Sequence, residues 1–391
     1  MMENTIYTIS QPHNDDFTHA LFVDLVGPHA QHNEAYYIWS NPPNILINFL
    51  KNTPFSSPVV FIGIKDLLET WAEEDFNWWR NRRQFITGVI SDMARNHADK
   101  QFILFVSMEQ LDKEFDQPNL HIIPWGGDWI NQRTQYSKLQ PVLDKNFDSK
   151  KTFISLNRHG RDHRIVMLSY LFGTGIASNG VISYLENPNH DRPTNFLDRI
   201  YWEFSAEHDK IREIMLAGFD LMNHNPDLIV DEYEIYRTYG QMPNDNVGNF
   251  ENRLRNMYRD SFVEIVTESS FTSSQFMLTE KTAHAFYGCN FPIILSGSGA
   301  VAHLRSLGLD VFDDIVDHSY DTIENPFDRI VAAIENNRTL LTQADHAKQS
   351  WQACRSRFER NVAVMHGIYS WYEDRTRQKF AKTLACVQGQ P

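Results

Sequence analysis

The sequence predicts two α/β domains followed by a helical C-terminal extension, with boundaries at 1–148, 149–345 and 346–391. Three observations carry that prediction. The chain has 391 residues, enough for two domains of roughly 150 residues each. Over roughly the first 145 residues, and again at 151–185 and 262–308, short apolar runs alternate with stretches whose apolar residues recur at helical spacing, the pattern of parallel sheets covered by helices. From 325 onward the pattern is amphipathic helix with no strand-like run.

In the first domain the apolar runs are HALFVDLVG (19–27), NILINFL (44–50), PVVFIGI (58–64) and QFILFVS (101–107). Several are bounded by Pro, Asn or Gly and read as buried strands. The stretch 67–97 has helical spacing, with Trp71, Trp78 and Trp79 as packing residues before any sugar-stacking role. HIIPW (121–125) reads as a further strand closed by Gly126-Gly127. The polar stretch 131–151, with Pro141 and clustered Lys, marks the domain boundary. The second domain opens with the strand KTFISLN (151–157), the basic turn RHGRDHR (158–164), the helix IVMLSYLFGTG (165–175) and the strand VISYL (181–185). Residues 190–260 hold helical pieces such as DKIREIMLAGFDLM. Then come a strand at 262–269, a helix at 280–289, the strand FPIILSG (291–297) and a helix at 300–308 stopped by Gly308.

Composition excludes several classes. Hydrophobic residues make up 42% and aromatic residues 13%, against 18 Gly and 16 Pro, so the chain is neither collagenous nor disordered. Lys and Arg number 36 against 50 Asp and Glu, a net charge of −14, which leaves only a local basic patch for any contact with nucleic acid. Cys289, Cys354 and Cys386 lie far apart with no CxxC spacing, which excludes a disulfide framework and structural zinc and fits a reducing compartment. His13, His19, His29 and His32 match no metal-ligand spacing. The N-terminus lacks the basic and apolar regions of a signal peptide, and no apolar run reaches the roughly 20 residues of a membrane span. The expectation is a soluble cytoplasmic protein with no metal site.

Chemistry concentrates in 262–321. Thr279-Glu280-Lys281 opens a predicted helix, whose unpaired N–H groups and partial positive charge suit a phosphate. Lys281 is unfavourable for the helix dipole there, which points to an anion; Glu280 is placed to accept from two ribose hydroxyls. The following strand ends in Gly297-Ser298-Gly299, where backbone can approach a ligand closely. In open α/β sheets such elements meet at the carboxyl ends of the strands. The bland alternative is a Thr N-cap with a solvated Glu-Lys pair. The turn Asn157-Arg158-His159-Gly160-Arg161-Asp162-His163-Arg164 is a second candidate phosphate cradle, against an ordinary exposed Arg/His loop.

These motifs occur in the order seen in fucosyltransferase-like glycosyltransferases, a group with related viral and bacterial members, which residues 150–335 resemble. The order is a strand carrying Glu264 or Glu268, then Thr279-Glu280-Lys281, then FPIILSGSG (291–299). Leu307-Gly308-Leu309, Phe312-Asp313-Asp314 and Ser319-Tyr320-Asp321 follow, with FISLNRHGRDHRIVMLSYL (153–171) at the start. His318 stands where an acidic residue is usual. The resemblance implies two Rossmann-like domains facing across a cleft (the GT-B arrangement) and inverting transfer from a nucleoside-diphosphate sugar, and the lack of an Asp-x-Asp pair followed by a strand favours a metal-independent enzyme in which Lys and Arg replace the divalent ion. No cofactor would be tightly bound. A guanosine-linked donor is the family expectation, with a uridine-linked one as alternative. The donor would be held by Asn157, Arg158, Arg164, Glu268, Thr279, Glu280, Lys281, Gly297 and Ser298, with Arg161 a lesser choice. Arginine would neutralise charge on the departing diphosphate.

The general base would be a carboxylate of the first domain: Asp128 after the Gly126-Gly127 turn is preferred, with Glu34, Asp16 and Asp15 as alternatives. The acceptor is a glycan or, in a virus, a hydroxymethylated DNA base, which would have to be flipped into the site. The rival reading is a non-catalytic carbohydrate- or nucleotide-binding or assembly protein on the same scaffold. A hydrolase is disfavoured because there is no GxSxG.

Overall fold

The structure, a computed structural model, describes residues 6–9, 17–30, 33–38, 43–64, 87–107, 111, 115–126, 138–157, 162–184, 209–224, 229–230, 250, 254–268, 271 and 278–389. The chain is α/β and forms two compact units. The first comprises Met1–Arg133, Gln275–Met277 and Gly367–Pro391, the second Thr134–Ser274 and Leu278–His366. The division falls ahead of the boundary at 148 read from composition, and the C-terminal helix α11 (Ala344–Val387) contributes to both units.

In the first unit, strands β1 (Ile6–Ile9), β2 (Glu34–Ile38), β3 (Val59–Ile64), β4 (Gln101–Val106) and β5 (Leu120–Pro124) lie side by side in chain order, every pair parallel. The apolar runs at 58–64, 101–107 and 121–125 are strands as expected. Those at 19–27 and 44–50 are instead helical, in α1 (Phe17–Val26) and α2 (Pro43–Asn52). A short apolar run does not by itself separate a strand from a buried helix. Burial does: Thr18, Leu21, Phe22, Leu25 and Val26 are buried while Ala20, Val23 and Asp24 are exposed, a repeat of three to four residues. Pro43 opens α2, where its fixed φ and missing N–H cost nothing. Strands β1 and β2 were not anticipated, because neither carries a long apolar run.

Both faces of this sheet are covered. Val60, Ile62, Ile64, Phe102, Leu104 and Val106 pack with Leu46 and Leu50 of α2 and with Val89, Ile90 and Met93 of helix α3 (87–96). On the other face, Phe61, Phe105 and Trp125 meet Phe22 of α1 or Phe380 of α11. Two covered faces are why β3 and β4 read as nearly unbroken apolar runs. Gly63 interrupts β3 because a Cβ there would lie 2.9 Å from the Tyr37 ring and 3.0 Å from that of Phe22.

In the second unit the order is β10-β9-β6-β7-β8, all parallel. The strands are β6 (Phe153–Asn157), β7 (Gly180–Tyr184), β8 (Ile229–Val230), β9 (Val263–Thr267) and β10 (Phe291–Leu295). From central β6 the chain steps outward to β7 and β8, then returns to lay β9 and β10 on the other side. That is Rossmann-like order, with its switch point between β6 and β9. Pro292 sits in β10, an edge strand that tolerates a missing donor. The next outward N–H, that of Ile294, donates to the Tyr320 hydroxyl at 2.9 Å.

Residues 138–150, read as polar connection, are pinned to this unit by a buried lysine. Lys145 Nζ donates to the carbonyls of Tyr258 (2.7 Å), Ser261 (2.9 Å) and Gly288 (2.7 Å) and contacts Asn290 Oδ1. Composition marks lysine as surface, whereas here four acceptors satisfy the head group.

Helices α4 (Asp162–Gly173) and α5 (Asp209–His224) cross at two glycines. A Cβ on Gly218 would lie 1.8 Å from the Ser169 carbonyl oxygen, and one on Gly173 2.1 Å from that of Ile214. Both obstacles are backbone, so the helices must part. Gly218→Ala is expected to lower unfolding free energy by about 2–3 kcal/mol. Gly367→Ala, at an exposed position of α11 with nothing within 4 Å, is expected to raise it by roughly 0.5–1 kcal/mol. Guanidinium midpoints of the two variants should therefore move in opposite directions.

Candidate functional site

Beyond Phe153↔Val263 and Ile154↔Glu264 the paired register of β6 and β9 ends, and side chains take over the link. Ser155 Oγ donates to the Ile265 carbonyl at 3.2 Å, and Thr267 Oγ1 to Asn157 Oδ1 at 2.8 Å. Asn157 spends its remaining donors internally, Nδ2 on Ser155 and its backbone N–H on Ser183 Oγ. It therefore shapes the strand end.

Two helices start at this edge and are tied to one residue. In the first turn of α4, His163 Nε2 donates to the Glu268 carbonyl at 2.9 Å, and Arg164 Nη2 to the Thr267 carbonyl at 3.2 Å. At the start of α7 (Glu280–Tyr287), the fully buried Glu268 carboxylate accepts from Thr279 N (2.9 Å), Thr279 Oγ1 (2.7 Å) and Thr282 Oγ1. Thr279 is the N-cap residue. A buried carboxylate is sustained by such donors, and here it locks α7 against the end of β9.

Lys281 and Glu280 are partly exposed. Lys281 Nζ donates to Glu280 Oε1 at 2.7 Å and to Thr279 Oγ1 at 3.1 Å. Burial pushes the Glu280 carboxyl up, but Lys281 and then His284 overcome it and hold the pKa at about 2. His284, one turn on and buried against Phe250, is pushed down to about 4 by that burial and stays neutral. Hydrogen bonds and chain connectivity thus join Arg164 to Lys281 through Thr267, Glu268 and Thr279. Of the two strand carboxylates considered, Glu268 lies at the switch point; Glu264 is buried further back, accepting from the Tyr258 hydroxyl at 2.9 Å.

The Gly297-Ser298-Gly299 turn meets an anion supplied by the chain itself. The Asp321 carboxylate accepts from Val301 N (3.1 Å) and Ala302 N (3.0 Å) at the start of α8 (Ala300–Ser306), and its carbonyl accepts from Gly299 N (3.0 Å). Tyr320 covers the edge of β10 and donates to His318 Nδ1 at 3.1 Å, while His318 Nε2 donates to the Val311 carbonyl at 2.8 Å. Burial lowers the His318 pKa, so the neutral ring keeps Nδ1 as an acceptor. The Ser-Tyr-Asp motif and its unusual histidine are therefore structural: one tyrosine closes a sheet edge and one aspartate caps a helix.

Arg158, Arg161, Asp128, Asp15 and Asp16 lie outside the described residues, as do Trp71, Trp78, Trp79, His13 and His32. Gly126 has φ 61° and packs under the Tyr372 ring. Glu34 Oε1 accepts from Ser56 N at 3.0 Å and from Ser56 Oγ; burial, then Glu34, raises Tyr36 to about 12. His19 packs on Tyr37, and His29 on Phe61 and Phe380. Among the described residues no group of three or more His, Cys, Asp or Glu side chains is placed to hold a metal ion, and no helix is long and apolar enough to cross a membrane. Sequence reasoning missed the roles of His163, Thr282 and Asp321, whose partners lie 105, 14 and 20 positions away. Compared with known proteins, the sequence matches no family model, and no curated protein matches it.

Proposed function

We propose that the chain is a glycosyltransferase that moves a sugar from a nucleoside-diphosphate sugar to an acceptor hydroxyl with inversion and without a metal ion. The observation that carries this reading is the convergence of the α4 and α7 starts on Glu268 at the sheet's switch point, which ties Arg164 and Lys281 into one polar set. Two helix starts beside a lysine suit a diphosphate. In this reading Lys281 and Arg158 neutralise the departing diphosphate, and Glu280 takes the ribose hydroxyls. Buried Arg164 keeps the end of β9 in place. The first unit binds the acceptor, a glycan or a modified DNA base, and supplies the base from Asp128, Glu34 or Asp16.

The test is calorimetry with UDP, GDP, CDP, ADP and TDP in excess chelator. One or more should bind, and Lys281→Ala should weaken binding roughly 10- to 100-fold. The melting temperature should barely move, because the Lys281–Glu280 pair is partly exposed. The second reading, a non-catalytic binding or assembly protein, is favoured by two features: Lys281 is already engaged by Glu280 and Thr279, and Asp321 occupies the α8 start. Silence of the wild-type chain across the whole panel would select it.

A further inference from the structure

Arg329 lies in the first turn of α9 (Pro326–Asn336) and is 1% exposed. Its Nη2 donates to the Phe271 carbonyl at 3.1 Å and reaches that of Glu324 at 3.5 Å. Among the described residues Nε and Nη1 have no hydrogen-bond partner, so three N–H groups of a buried guanidinium meet no acceptor there. The acid that acts on it electrostatically, Asp321, gives one carboxylate oxygen to Val301 N and the other to Ala302 N. Burial lowers the Arg329 pKa to about 10, which leaves the group charged at neutral pH. Unmatched donors on a buried charge are among the costliest features a fold can retain.

Its position gives that cost a purpose. The guanidinium carbon lies 5.0 Å from the centre of the Phe271 ring, which in turn stacks on His163 at 5.0 Å and 15°. Phe271 follows Glu268 by three residues, and His163 donates to the Glu268 carbonyl. A third helix start thus brings a cation to the edge where α4 and α7 begin. We propose that Arg329 is an anion-binding residue of this site, its Nε and Nη1 taking oxygens of a phosphoryl group. The inference deepens the donor reading, on which it rests for the identity of that group as part of a nucleoside diphosphate. Free inorganic phosphate offers the same chemistry, and planar guanidinium donors suit either.

The test measures calorimetric affinities of the full chain for inorganic phosphate, pyrophosphate, GDP and UDP, together with ligand-free melting temperatures. It compares the wild type with Arg329→Met, Arg329→Lys and Lys281→Ala. Arg329→Met should weaken phosphate or diphosphate binding roughly 10- to 100-fold and leave the ligand-free melting temperature unchanged or higher, since it removes a buried charge together with its unmatched donors. Should Arg329→Met not fold, Arg329→Lys, which keeps the charge and loses the planar donors, must show weakened binding. Nucleotide binding that is unchanged in the Arg329 variants but lost in Lys281→Ala overturns this inference and leaves the donor reading standing. Phosphate binding that depends on Arg329, with no nucleotide binding, supports the anion site and sinks the donor reading. No binding of any probe overturns both. A lower ligand-free melting temperature with unchanged affinities reduces Arg329 to a structural pin.

Discussion

Glu268→Ala is expected to lower the unfolding free energy by about 3–5 kcal/mol, comparable to breaking a buried charged network. The carboxylate accepts from Thr279 N, Thr279 Oγ1 and Thr282 Oγ1, and alanine would leave these buried donors without it. Glu268→Gln retains one acceptor oxygen and the side-chain volume, so its cost should be about 1 kcal/mol, near that of one neutral hydrogen bond. Denaturant unfolding of both variants checks the ordering. Nucleotide calorimetry adds a functional readout: with the α7 start released, Thr279-Glu280-Lys281 is no longer held against β9, and Glu268→Ala should bind nucleotide more weakly even where it remains folded. A stability change below 1 kcal/mol for Glu268→Ala would show that the carboxylate does not lock α7.

The second large effect is a pH dependence centred on Glu264. Burial raises this carboxyl to about 8 against the opposing influence of the Tyr258 hydroxyl and Lys145. The folded state therefore keeps a proton that the unfolded chain releases above its ordinary pKa of 4.5. The associated stability is fully present below that value and is lost as pH rises toward 8. Each unit of difference is worth about 1.4 kcal/mol, so the loss amounts to several kcal/mol. Lys145 acts in the opposite sense: burial lowers it to about 7, so from there upward the unfolded chain binds the extra proton and stability recovers. Stability should thus fall between about pH 4.5 and 7, level off between about 7 and 8 where the two effects oppose, and rise above 8. Glu264→Gln, which imitates the protonated acid, should flatten the fall. Guanidinium titrations at pH 5, 6, 7 and 8 decide the matter, and parallel curves for wild type and variant would rule out Glu264 as the source.

The elements that were legible in the sequence were those whose signal is local. Apolar strands β3, β4, β6, β9 and β10, the Thr279 helix start and the Gly308 stop at φ 84° depend on neighbouring residues and turn chemistry. The misreadings at 19–27 and 44–50 have the same origin, since a short apolar run buried on most sides looks alike in helix and strand. Glu268 and Lys281 were readable as candidates because charged residues at a strand end and a helix start stand out.

Taken alone, the sequence determined the α/β class, the strand-and-helix order of 151–185 and 262–308 in the second unit and the residues worth inspecting at its C-terminal edge. The tertiary structure alone decided what those residues meet. Lys145 is held by Gly288, Trp351 by Cys289, His163 by Glu268 and Asp321 by the start of α8. These pairings give Asp321 and Tyr320 structural roles, set Glu268 between the starts of α4 and α7, and leave Arg329 with donors unmatched among the described residues. The reason is physical: periodicity and capping are set by residues within one or two turns, whereas satisfaction of a buried polar group depends on partners that only the folded chain brings within 3 Å of each other.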